Sequence, residues 1–165
     1  LDGQLIVTQQ GISWIVRKVI NYADLELQYV KVPPAEGSEA HRFTVKQTVR
    51  PGGFDFDNEY IVDGAKRTNT LPIFGTVTVH CSYVGYNDLT QEQVFDRQID
   101  SGEDEGYAAM IEVVHNESKG WVATNVWAFE VIDGGRRLCK YNTTSNGGNT
   151  TKALVVHDYL GPPLS

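Results

Sequence analysis

The stretch 107–160, YAAMIEVVHNESKGWVATNVWAFEVIDGGRRLCKYNTTSNGGNTTKALVVHDYL, decides the fold. Four runs in it, at 107–115, 121–132, 136–144 and 150–160, carry β-branched and aromatic residues and are long enough for strands. They are separated by 116–120, by Asp133-Gly134-Gly135 and by Ser145-Asn146-Gly147-Gly148, which are hairpin signals. Three consecutive hairpins make an up-and-down meander, whose simplest closure is an antiparallel barrel. The expectation is a mainly β chain, a closed barrel of about eight to ten strands with one N-terminal helix and a cavity inside.

Upstream the pattern continues. At 25–32, Leu25, Leu27 and Tyr29 alternate with Glu26 and Gln28, and at 41–49 Phe43, Val45, Gln47 and Val49 alternate with Arg42, Thr44, Lys46 and Thr48. Pro33-Pro34 and Pro51-Gly52-Gly53 end these two runs. Further strands are expected at 59–63 and 74–84, with a polar turn at 64–70. Between 11 and 23, Ile12, Ile15, Val16, Val19 and Ile20 recur at helical spacing. The acidic stretch 86–106 reads as a partly helical surface insertion or a mobile loop, solvated in the simplest case and, more sharply, a lid over the barrel mouth. The tail after 160 contains Pro162 and Pro163 and cannot extend a strand.

A chain of 165 residues suits one domain with its own core. Its net charge of −7, with Lys and Arg scattered singly, argues against nucleic acid as a partner. No apolar run approaches the roughly 20 residues that span a bilayer. Cys81 and Cys139 fall within expected strands and read as small core residues rather than a disulfide, which favours the cytoplasm. Against that stand three glycosylation triplets, at Asn116, Asn142 and Asn149. The four histidines show no metal-ligand spacing, and phosphate-loop, dinucleotide and nucleophile-elbow motifs are absent, so neither metal nor cofactor is expected.

Candidate site residues come from strand faces. Trp121, Asn125, Trp127 and Phe129 share one face of 121–132 and read either as cavity lining or as a packing wall. The amide of Asn125 favours the cavity, because a buried amide needs a partner. On 74–84, Thr78, His80 and Ser82 share one face, which is either solvent-exposed or a polar patch inside the barrel. On 150–160, Thr151, Ala153, Val155, His157 and Tyr159 alternate with Lys152, Leu154, Val156, Asp158 and Leu160. His157, Tyr159, His80 and Asn125 are the candidates for orienting a ligand oxygen or for catalysis.

Leu1-Asp2-Gly3 leading to Gly11-Ile12-Ser13-Trp14-Ile15-Val16-Arg17-Lys18 resembles the opening of the fatty-acid-binding proteins of the calycin superfamily, which also includes the lipocalins. The resemblance implies a ligand clamped by an Arg-x-Tyr pair on the last strand. Here His157-Asp158-Tyr159 stands in that place, with His for Arg, so a ketone, alcohol or lactone oxygen suits the site as well as a carboxylate. The segment from Trp121 and the ending at 155–161 look like a group of uncharacterised fungal calycin-like proteins. Two functions follow. One is a carrier of a hydrophobic lipid-, terpenoid- or polyketide-like molecule. The other is a cofactor-free cyclase or isomerase of natural-product biosynthesis, of the pericyclase type, which needs two or more donors converging on one point. A homodimer is compatible with either.

Overall fold

Hairpin chemistry sets the local structure where the meander is densest. Asp133 and Gly134 both take positive φ, 51° and 75°, as a two-residue hairpin turn of the right twist demands. They join strands paired along their whole length, from Trp121↔Asn146 to Ile132↔Gly135. The computed structural model describes residues 24–34, 36–50, 55–71, 74–100 and 106–162. Its strands are β1 (Asp24–Val32), β2 (His41–Arg50), β3 (Phe56–Val62), β4 (Arg67–Leu71), β5 (Gly75–Val84), β6 (Ala109–Asn116), β7 (Trp121–Ile132), β8 (Gly135–Asn146) and β9 (Asn149–His157). They form one sheet in the order β1-β2-β3-β5-β6-β7-β8-β9, with β4 paired to β5 off that path.

The sheet curls into a half-barrel. Tyr29 of β1 meets Trp127 of β7 edge-on, ring centroids 6.5 Å apart, although four strands separate them in the sheet. The expected closed barrel is corrected on this point: among the described residues no ladder joins β1 to β9. Strict antiparallel order also fails at one seam. β3 runs parallel to β5 and pairs with it only at Val62↔Cys81, beside a bond from the Gly64 N–H to the Cys81 carbonyl of 2.7 Å. The cause is β4, an edge strand in what reads as a turn. Its Arg-Thr-Asn-Thr-Leu sequence buries no face, so period two is invisible there. The helix expected over 11–23 lies outside the described residues.

The acidic stretch is corrected too. Residues 86–100 form two short 3-10 turns, Tyr86–Asp88 and Gln91–Val94, that lie on the convex face of β6 to β8 instead of over the barrel mouth. Val94 and Ile99 are buried there with Ala109, Val126, Ala128, Cys139 and Tyr141, and Leu89 and Phe95 pack against them. Those apolar residues outweigh the surrounding acids, because each gains about 1.5–3 kcal/mol from full burial. An ion pair between exposed Arg97 and buried Glu130 ties the segment down: Arg97 donates through Nε and Nη2 to Glu130 at 2.7 and 2.6 Å, and Tyr141 donates to the same carboxylate. Despite burial, Arg97 holds the Glu130 carboxyl below its ordinary value. Cys81 and Cys139 are buried and free, as expected.

Candidate functional site

Alternation along β6, β7 and β8 sends Glu112, Asn125 and Asn142 to the concave face, and the registers place them side by side in one row, Glu112↔Asn125↔Asn142. All three are buried. Thr144 donates to Asn142 Oδ1 at 2.9 Å, Asn142 Nδ2 to Asn125 Oδ1 at 2.6 Å, and Asn125 Nδ2 to Glu112 Oε2 at 3.0 Å. Each amide therefore passes its donor toward the carboxylate, so the bonds polarise one another. Glu112 also accepts from the Trp127 indole N–H at 3.2 Å, and its charge reaches the Tyr60 phenol. Two donors thus satisfy this buried carboxylate from the same face. Burial and that charge push the Tyr60 and Tyr29 phenols up.

The next row holds Met110, Trp127, Lys140 and Val155, and it opens into a pocket. Leu25, Leu27, Val45, Gln47, Tyr60, Trp127, Lys140, Val155 and His157 line it, around a cavity of about 90 Å³. Trp127 is the centre of this wall. The Lys140 ammonium lies 4.8 Å from its ring centroid, and the His157 ring stacks on it at 5.9 Å and 19°. Burial pulls the Lys140 pKa down, opposed by the Glu112 charge. Burial and then the Lys140 charge pull His157 down, which favours its neutral ring. His157 Nε2 is buried with no hydrogen-bond partner among the described residues. An apolar wall thus carries two polar side chains, Lys140 and His157, beside one aromatic ring.

The structure brings together Asn125, Trp127 and His157 of the residues singled out in the sequence. Trp121 shares their face but packs deep in the core against Phe74, at 5.8 Å and edge-on. Phe129 lies at the strand's end under the Arg136 guanidinium, 3.8 Å from its centroid. Thr78 and His80 are on the opposite face, because the inner side of β5 belongs to Cys81, which pairs with Val62 and clusters with Val45, Tyr60 and Met110. Tyr159 is 78% exposed, because pairing with β8 ends at Leu138↔His157. Two of the glycosylation triplets are closed off by folding. Asn116 is buried and donates to the Phe74 carbonyl at 2.8 Å, and Asn142 is in the row described above.

Over 98% of its length the chain is similar to two fungal proteins. One, from Mollisia scopiformis, is named probable pericyclase scpY; it is 26% identical over 163 residues, which cover 84% of that protein. The other, from an Acremonium species, is named pericyclase pydY; it is 23% identical over 162 residues, covering 85% of it. No family model and no solved structure matches.

Sequence reasoning missed Lys140, Asn142, Tyr60 and Tyr29 as site residues. A signal for two of them was present. Once Asn125 is placed inside, hairpin register carries Lys140 and Asn142 to the same face as Trp127 and Asn125. Tyr60 and Tyr29 had no such signal, since only the curl of the sheet brings β1 and β3 over Glu112.

Proposed function

We propose that the protein is a cofactor-free cyclase of the pericyclase type, which folds an apolar, unsaturated substrate in the concave pocket and releases it as a cyclic isomer. The observation that carries this reading is the pair Lys140 and His157 flanking Trp127 in a pocket of otherwise largely apolar wall, in a chain similar along nearly all its length to proteins named pericyclases. A smooth wall is enough for a carrier. Two polar side chains against one aromatic ring supply what a cyclase needs: a hold on one end of a flexible chain and a means to polarise an oxygen conjugated to the reacting bonds.

The role of the protein's own groups follows from geometry. Trp127, Leu27, Val45 and Val155 exclude water and hold the chain in a compact, near-attack shape, which can lower a barrier by several kcal/mol without covalent chemistry. Lys140 and His157 hold the polar end. The row from Thr144 to Glu112 keeps Trp127 oriented through its indole N–H. The curled meander with its inner pocket also supports a place among the calycin barrels, and a hydrophobic natural product as ligand.

The test uses extracts of producing cells in which the gene has been deleted. Purified protein added to such an extract should convert one accumulated metabolite into a product of identical mass but different retention, faster than buffer does. If a small molecule instead co-purifies with the protein and is recovered unchanged, with no isomer formed, the chain is a carrier and the cyclase reading fails.

A further inference from the structure

The pocket has one charge too many for a wholly neutral ligand. Among the described residues no carboxylate lies within ion-pair distance of Lys140. The acid closest to it in the sheet's pattern, Glu112 in the adjoining row, is already engaged by Asn125 and Trp127. The Lys140 side chain instead lies over the Trp127 ring, among Leu25, Leu27, Val45 and Val155. An ammonium on such a wall is poorly solvated and gains from any anion that reaches it. His157 stands diagonally across from it, since Lys140 pairs with Val155 and Leu138 with His157, and its Nε2 is buried and unpartnered. A planar anion with two oxygens can bridge a diagonal pair of this kind.

We propose that Lys140 and His157 form a head-group subsite for an anionic oxygen group, either a carboxylate or the enolate of a 1,3-dicarbonyl, carried at one end of an apolar substrate. The inference rests on the concave pocket being the substrate site and adds which chemical class fills it. His157 donates one hydrogen bond from Nε2 in the tautomer that places the proton there. Lys140 supplies the charge. The aliphatic walls of β1, β2 and β9 take the rest of the molecule, and Trp127 supplies the flat surface beneath the head group. In the enolate case the conjugated carbonyl is the electron-withdrawing group that the two donors polarise.

Binding separates this subsite from the pocket itself. Wild-type protein is titrated with two fluorophores of similar aromatic size, the anionic 1-anilinonaphthalene-8-sulfonate and the neutral N-phenyl-1-naphthylamine. The bound anion is then competed with dodecanoate, with 2-dodecanoyl-1,3-cyclohexanedione and with methyl dodecanoate. Anionic competitors should displace it roughly tenfold to a hundredfold better than the ester, the range of one or two charge-assisted hydrogen bonds. Lys140→Met should abolish that preference while keeping N-phenyl-1-naphthylamine affinity, and Lys140→Arg should retain most of it. Whichever anion competes better names the source, carboxylate or enolate. Equal displacement by ester and anions in the wild type, where no folding defect intervenes, overturns the subsite and leaves the pocket standing. If neither fluorophore binds, the pocket reading falls with it.

Discussion

Replacing Asn125 with Leu tests whether the inner row is one mutually satisfied network. The side chain is 4% exposed, and its removal deletes the charge-assisted bond to Glu112, worth about 1.5–3 kcal/mol. It also leaves Asn142 Nδ2 without its acceptor, a buried unsatisfied donor costing about 1–3 kcal/mol. Leu returns about 1–2 kcal/mol through apolar burial, so the net loss is about 0.5–5 kcal/mol. Asn142→Leu alone strands Asn125 Oδ1 and the Thr144 hydroxyl and costs about 2–3 kcal/mol on the same scale. The double variant leaves neither amide orphaned. It should therefore be more stable than the sum of the singles predicts by about 1–3 kcal/mol. Equilibrium urea unfolding, followed by tryptophan fluorescence, measures all four corners of the cycle. Losses that add within about 0.5 kcal/mol would refute the reasoning, because they would mean the two amides do not depend on each other.

Three further outcomes follow from the geometry. Glu130 has a folded pKa below its unfolded value, chiefly because of Arg97, so the stability it contributes is full above about pH 4.5 and is lost as pH falls through the lower folded value; Glu130→Gln should flatten the acid limb of a stability–pH curve, and an unchanged limb would count against the pair. Thr78→Ala and His80→Ala should leave ligand binding and any turnover within twofold of wild type, since both residues lie on the convex side, and a tenfold loss in either would invert the assignment of faces. The Cys81 thiol, pushed up to about 12 by burial and by Glu112, should resist a thiol-reactive disulfide reagent until denaturant is added; rapid labelling of the native protein at Cys81 would contradict that placement.

Much of the meander was legible in the sequence. β7 occupies the expected 121–132, and β2, β5, β6 and β8 fall within two residues of expectation, since apolar alternation and Gly or Asn turns are local signals. The last strand stops at His157 rather than at 160, and nothing local marks that end: it is set by where β8 runs out of partners. β4 was hidden because an edge strand with no buried face has no period. The segment 86–100 was misjudged because its acids are frequent along the chain, whereas the four apolar residues that anchor it become consistent only against a particular convex surface.

By itself the sequence determined a mainly β meander, two unbridged cysteines in strands, and Asn125 and Trp127 sharing a face with an aromatic wall. These depend on side-chain periodicity and turn chemistry, which act over a few residues. Tertiary structure decided which face is concave, that His80 lies outside and His157 inside, and that Lys140 and Glu112 share the interior. Facing depends on register and curl, and in a strand a single-residue shift reverses every side chain, so contacts between residues far apart in the chain had to settle it.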